Sequence, residues 1–187
     1  EDNRLVEPPG LLRRNFDPPA RPEAVTIADI VLITHDHLDH LDPETVAGIA
    51  KHSPQACFIC PAPSVSKLVQ LGIEHGRIYS AKATETINMD RIEVTAIPAK
   101  HEEYLTDSYG QHYVLKSNGV TFYHSGDTIG FSELIEYLRP FYIDVAYLPI
   151  NGRDWLRAKQ GVLGNMGYRD AIELARAAGI DLIIPAH

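Results

Sequence analysis

The residues best suited to chemistry lie in one short segment, residues 35–40, which read HDHLDH. The segment directly follows an apolar, strand-like run over residues 30–34. A strand that ends in such a turn brings several imidazoles to one point at the edge of its sheet. Neutral imidazole and carboxylate are good ligands for divalent transition metals. The spacing therefore predicts a metal site, and the alternative is a solvated loop rich in histidine.

Three more candidate ligands each follow a predicted strand. His101 comes after residues 91–99, Asp127 comes after residues 120–124 in a Ser-Gly-Asp turn, and His187 comes after residues 181–186. Each is the first good metal ligand beyond an apolar run. We therefore expect all three at the sheet edge that carries residues 35–40.

The elements that position these residues follow from apolar runs and from helix and turn signals. Asp42 and Pro43 predict a helix start, as N-cap and first helical residue. Asn118-Gly119 predicts a hairpin. The predicted strands are 30–34, 56–60, 85–88, 91–99, 112–117, 119–124, 143–150 and 181–185, and the predicted helices are 42–51, 63–71, 131–138 and 166–178. Strands mixed with covering helices indicate a layered α/β domain over residues 1–187, with a Pro-rich, irregular lead-in at 1–23 and a loop at 151–165.

Composition narrows the class of protein. The chain has 187 residues, 44% of them hydrophobic, and a formal net charge of −8. No run of 18 apolar residues exists, so we expect no membrane partner. The excess of acidic residues argues against a nucleic-acid partner, and we expect a cytoplasmic protein that acts on a small molecule.

Cys57 and Cys60 lie on one predicted strand, where we expect two buried thiols rather than a metal-binding pair.

Four stretches resemble the metallo-β-lactamase superfamily. They are residues 34–40 (THDHLDH), 122–128 (FYHSGDT), 143–150 (IDVAYLPI) and 183–187 (IIPAH). Within the superfamily, the chain is most similar to the branch of L-ascorbate-6-phosphate lactonase and related metal-dependent hydrolases. The resemblance implies an αβ/βα sandwich. We expect the sandwich to be incomplete at both ends, because the family's opening strand hairpin is not visible and a presumed ligand is the last residue.

The resemblance also implies a site with two divalent metal ions, manganese by the lactonase branch or zinc by the wider superfamily. The implied ligands are His35, His37 and His101 for the first ion, Asp39, His40 and His187 for the second, and Asp127 as a bridge between them. A hydroxide shared by two such ions attacks the substrate. Asp127 fixes its position, and Asp39 could orient it or move a proton, so these two residues are the catalytic candidates.

The function that this implies is a metal-dependent hydrolase, with a lactonase for a small anionic sugar-derived substrate as the first hypothesis. A phosphodiesterase or nuclease of the superfamily, and a metal-binding relative without activity, are the alternatives. Asn151, Arg153 and Arg157 are the candidate substrate contacts, because arginine suits phosphate or carboxylate; the alternative is a solvated loop. A homo-oligomer is left open.

Two sets of histidines receive weaker interpretations. His124 either contacts the candidate ligand Asp127 without binding metal itself or packs as a core histidine, and the sequence does not decide between these two roles. We interpret the remaining histidines as surface or structural residues: His52, His75 and His112.

Overall fold

The computed structural model describes residues 18–100, 110–159, 161 and 164–187. His101 therefore lies outside the described residues, as does most of the predicted lead-in. Within the described ranges the strands are β1 (Ile30–Leu32), β2 (Cys57–Pro61), β3 (Ile78–Ala81), β4 (Thr86–Met89), β5 (Ile92–Pro98), β6 (Gln111–Ser117), β7 (Val120–His124), β8 (Val145–Pro149) and β9 (Leu182–Ala186). The α-helices are α1 (Pro43–His52), α2 (Val65–Gln70), α3 (Ser132–Leu138), α4 (Trp155–Lys159) and α5 (Tyr168–Ala178).

The strands form two sheets. β1, β2 and β3 make a three-stranded parallel sheet in that order. The other sheet runs β4-β5-β6-β7-β8-β9, antiparallel from β4 to β7 and parallel from β7 to β9. The predicted antiparallel group is thus confirmed, and β8 and β9 extend it.

Three apolar clusters make the sandwich of helix, sheet, sheet and helix. Phe58 and Cys60 of β2 pack with residues of α1 and α2 on the outer face of the small sheet. The opposite face of that sheet packs on β5 and β6. On the far side of the large sheet, Tyr123 and Ala146 pack with α3 and α5. The αβ/βα architecture follows from these faces.

The small sheet covers only part of the large one. Strand register places Tyr147, Leu182 and Ile184 on the same face as the β5 and β6 residues that meet the small sheet. These three side chains are exposed, at 38%, 56% and 42%. None of the helices in the described ranges is long and apolar enough to cross a membrane.

Local signals explain several element boundaries. The Asp42 carboxylate accepts a hydrogen bond from the Thr45 backbone N–H at 2.8 Å, and Pro43 begins α1 as predicted. Asn118 and Gly119 have φ angles of +50° and +77°, so they form the tight turn that joins β6 to β7. Gly179 ends α5 in the left-handed conformation.

Three details differ from the predictions. β3 was not predicted, because its four residues include two exposed polar or amphipathic positions and no apolar run. The predicted loop at 151–165 contains the short helix α4. Cys60 is buried but Cys57 is only partly buried, and both are free thiols. They nevertheless point to opposite faces of β2, since Phe58 and Cys60 share the outer cluster.

His112 of β6 is a core residue. Its Nδ1 lies 2.6 Å from the Tyr123 hydroxyl of β7, and both side chains are fully buried. Burial lowers the pKa of His112 to about 3; the nearby His124 acts in the same direction and Asp127 opposes it. The imidazole is therefore neutral in the folded protein at every pH near neutrality.

Substitution of Gly119 by alanine should lower the free energy of unfolding by about 1 kcal/mol. A Cβ at this φ disfavours the left-handed conformation by roughly 1–2 kcal/mol, and no described atom lies within 4 Å of its position. Gly76→Ala is the control, since its site is equally open but its φ is not in the left-handed region. Urea denaturation measures both variants, and equal effects would contradict the turn assignment.

Acid should destabilise the metal-free protein partly through His112. Its folded-state pKa lies below the unfolded value of about 6.5, so the unfolded chain binds the extra proton as the pH falls below 6.5. Between pH 6 and 5 the free energy of unfolding should fall less steeply in His112→Gln, by about 1.4 kcal/mol per pH unit. Urea denaturation with a chelator present tests this, and parallel pH profiles would show that the imidazole is not buried in neutral form.

Candidate metal centre

The ligand-bearing turns meet where several strands end. The backbone carbonyl of Thr34, just beyond β1, accepts a hydrogen bond from the N–H of Gln111 at 2.8 Å. The Tyr113 hydroxyl donates to the Ile33 carbonyl, also at 2.8 Å. These bonds join the end of β1 to the start of β6. Because β6 is antiparallel to β7, that start lies beside the end of β7, which leads to Asp127.

The His-rich segment folds into a tight turn. The backbone N–H groups of His40 and Leu41 both donate to the carbonyl of His37, at 3.0 and 2.7 Å. Lys67 of α2 forms an ion pair with the Asp36 carboxylate. Leu41 is buried in the outer cluster of the small sheet. The turn is therefore held from both sides before α1 begins.

The first donor group is a pair of imidazoles. Nε2 of His35 lies 3.0 Å from Nδ1 of His37. Two ring nitrogens that face each other at this distance can share one metal ion. The third predicted ligand of this group, His101, stays a prediction because it is outside the described residues.

The second donor group contains four side chains, Asp39, His40, Asp127 and His187. Each offers one ligand atom, and the four atoms lie within 4.8 Å of one another. Nε2 of His40 and Nε2 of His187 both lie 3.1 Å from Oδ1 of Asp127. The same two nitrogens lie 3.5 and 3.6 Å from Oδ2 of Asp39.

These separations suit one divalent ion. Four ligand atoms placed tetrahedrally about 2.1 Å from an ion are roughly 3.4 Å apart. The measured nitrogen–oxygen distances of 3.1 to 3.6 Å lie around that value. The donors are nitrogen and oxygen without thiolate, a set that accepts zinc or manganese. The residues present therefore fit a metal ion.

Electrostatics in the group favour a bound cation. Burial raises the pKa of Asp127, but hydrogen bonds with His187 and His40 outweigh it and hold that pKa below its usual range. A hydrogen bond with His187 likewise lowers the pKa of Asp39. Contacts with Asp127 and then Asp39 raise the pKa of His187 to about 10. The two carboxylates thus attract positive charge, and a metal ion must displace the His187 proton to bind.

Asn151 contacts a candidate ligand. Its side-chain amide is 3.0 Å from Nδ1 of His187, the nitrogen opposite the one that faces Asp127. The sequence did not predict this contact, because the partner is 36 residues away. The predicted contact between Asn151 and substrate stays a prediction.

The two arginines make bonds within their own loop. The Arg157 guanidinium pairs with Asp154 and donates to the carbonyls of Asn151 and Gly152, at 2.9 and 3.1 Å. Nε of Arg153 donates to the carbonyl of Gly164 at 3.1 Å. These bonds shape the segment after β8. Whether either arginine also meets substrate stays a prediction.

His124 lies beside the turn that carries Asp127. Its Nδ1 lies 3.5 Å from the backbone N–H of Gly126, and its ring packs on Tyr147 with centroids 5.5 Å apart. Burial lowers the pKa of His124 to about 4. The contact with the turn fits a supporting role and the packing on Tyr147 fits a core histidine, so both interpretations stay open.

Comparisons with known proteins agree with this geometry. A family model described as beta-lactamase superfamily domain matches residues 5–187. A UPF0173 metal-dependent hydrolase from Pyrococcus furiosus is 31% identical, over 98% of this chain and 73% of its own length. A protein from Escherichia fergusonii, named probable L-ascorbate-6-phosphate lactonase UlaG, is 27% identical over 89% of this chain and 50% of its own length. The chain thus spans between half and three quarters of these relatives.

Solved structures give the same fold. A protein from Parabacteroides distasonis that bears the description metal-dependent hydrolase has a TM-score of 0.70 and 26% identity, over 90% of this chain and 69% of its own. Igni18, a metallo hydrolase from Ignicoccus hospitalis, has a TM-score of 0.67 at 23% identity, over 85% of this chain and 63% of its own. The chain belongs to the metallo-β-lactamase superfamily, in the branch of the UPF0173 metal-dependent hydrolases and UlaG.

Proposed function

We propose that this chain forms the catalytic part of a hydrolase that uses two divalent metal ions. The observation that carries the proposal is the pair of adjacent donor groups. The His35–His37 pair lies beside the four-residue group, since the ring centroids of His35 and His40 are 4.2 Å apart. A single ion would leave one of the two donor groups without a metal.

The proposed ligand sets follow this division. His35 and His37, with His101, would hold the first ion, and Asp39, His40 and His187 would hold the second. Asp127, which contacts the second group, is the proposed shared ligand. It is buried, whereas Asp39 is 55% exposed. We therefore assign Asp127 to bridging and Asp39 to the side from which substrate arrives.

The chemistry divides between the ions and the chain. When bound, two divalent ions acidify a shared water and polarise the carbonyl or phosphoryl oxygen of a substrate. The Asp127 carboxylate would help to fix the separation of the two ions as their shared ligand. Asp39, half-exposed and next to His187, is the proposed group that would accept a proton from the nucleophile and pass it to the leaving group.

The proposed substrate is a small anionic, sugar-derived lactone. Support comes from the similarity to UlaG, although the UPF0173 relatives carry no substrate in their names. All three candidates, Asn151, Arg153 and Arg157, follow β8; Asn151 contacts His187, and Arg157 donates to the Asn151 carbonyl. They are the proposed contacts for the anionic group.

Manganese and zinc both fit the nitrogen and oxygen donors.

Asp127→Asn should leave the fold intact but lose at least one metal ion and nearly all turnover. The amide keeps the shape of the carboxylate but loses the charge that two cations share. Metal content by mass spectrometry, circular dichroism and hydrolysis rates test this together. Asp181→Asn, the same substitution at an exposed carboxylate, is the control and should change none of them. Full metal content with near wild-type turnover in Asp127→Asn would rule out the bridging role.

Hydrolysis should depend on metal and favour lactones. The metal-replete protein should open a lactone panel that includes phosphorylated sugar lactones faster than it cleaves bis-(p-nitrophenyl) phosphate, and a chelator should abolish both activities. The acidic chain argues against a polyanionic nucleic-acid substrate. Faster phosphodiester cleavage would support the phosphodiesterase instead. Two bound metals without turnover on either substrate would indicate a metal-binding relative without activity.

A further inference from the structure

Thr34 contacts both donor groups from behind. It lies two residues beyond the end of β1 and is 3% exposed. Its hydroxyl oxygen lies 3.0 Å from Nδ1 of His35 and 3.5 Å from Nδ1 of His40. One buried hydroxyl therefore reaches one imidazole of each group.

The nitrogens that Thr34 contacts are those that face away from the proposed ions. Nε2 of His35 faces His37, and Nε2 of His40 faces Asp127. A neutral imidazole carries one proton, so one ring nitrogen donates and the other presents a lone pair. Which nitrogen holds the proton decides whether the ring can bind metal through Nε2.

We propose that Thr34 is a positioning residue that fixes the tautomer of both His35 and His40. Its oxygen accepts a hydrogen bond from Nδ1–H of each ring with its two lone pairs. Both Nε2 lone pairs then point into their donor groups. This role rests on the proposed function, because it matters only if metal ions bind there.

The backbone and packing hold the Thr34 hydroxyl in place. The Thr34 carbonyl accepts from the N–H of Gln111, which ties the residue to β6. A Cβ on Gly126 would lie only 2.7 Å from the Thr34 hydroxyl oxygen and 2.8 Å from its methyl carbon, so the side chain packs directly on this glycine. A β-branched side chain is also stiff about χ1. The oxygen is thus a fixed acceptor and not a mobile surface hydroxyl.

Two substitutions separate the hydroxyl from the packing. Thr34→Val keeps the branched shape and removes the acceptor, whereas Thr34→Ser keeps the acceptor and removes the methyl group. In chelator competition with zinc, Thr34→Val should bind metal about 10- to 100-fold more weakly than wild type. Thr34→Ser should stay close to wild type. Circular dichroism checks that each variant folds.

A spectroscopic readout reports the tautomer itself. Long-range ¹⁵N–¹H correlation spectra of the histidine rings should show protonated Nδ1 on His35 in the metal-free protein and on His40 once zinc is bound, both in wild type and in Thr34→Ser. Without metal the Nε2–H of His40 donates to Asp127, so the His40 ring is read only in the zinc-loaded protein. In Thr34→Val these two Nδ1–H signals should broaden through exchange or move to Nε2. A purely structural role for Thr34 would leave them unchanged.

The outcomes distinguish this inference from the proposed function. Wild-type metal affinity and unchanged ring signals in Thr34→Val would overturn the inference, as would weak binding in Thr34→Ser with strong binding in Thr34→Val. If Thr34→Val does not fold, Thr34→Ser decides: retained affinity and Nδ1–H signals support the hydroxyl, and loss of either overturns it. If wild type binds no metal, the proposed function fails, while the spectra of the metal-free protein still test the tautomer of His35, whose Nε2 faces an imidazole and not a carboxylate.

Discussion

The site depends on the close approach of Thr34 to Gly126. The first residue follows a strand of the small sheet and the second follows a strand of the large sheet, so their contact joins the two layers at the ligand-bearing edge. A side chain on Gly126 would overlap the Thr34 side chain at 2.7 to 2.8 Å, and the glycine has a φ of +55°. Only glycine meets both conditions well. Asp127, the next residue, is thereby brought against the His-rich turn.

This approach has an electrostatic cost. Asp127 is buried, and an isolated buried carboxylate is strongly disfavoured. His40 and His187 offset the cost by hydrogen bonding, and they are contributed by segments that are distant in sequence. A divalent cation would offset it further, because it would satisfy both carboxylates and both imidazoles at once. The folded chain therefore buries a carboxylate where an ion would stabilise it, so metal affinity and fold stability are coupled.

The sequence predicted what depends on local patterns. Asp42 and Asn118-Gly119 set a helix start and a hairpin through short-range geometry, and both are present in the structure. Candidate metal ligands follow several of the predicted strands, and the second donor group contains four of the residues identified in this way. β3 was missed because it has no apolar run, and α4 was missed because it is short and buries no residue, so its sequence shows no apolar face. The contacts of Thr34 and Asn151 with histidine rings were missed because neither residue is a typical metal ligand, although Thr34 is next to His35 in the sequence.

The His-rich motif supplies both donor groups because a turn lies in its middle. The N–H groups of His40 and Leu41 fold back on the carbonyl of His37, so the chain changes direction between the two halves. His35 and His37 precede the change and face each other. Asp39 and His40 follow it and face Asp127 and His187. Spacing alone shows that ligands are near one another, but the turn decides which ion each would bind. The ion pair of Lys67 with Asp36 and the burial of Leu41 hold that turn, so residues that touch no metal determine how the ligands divide.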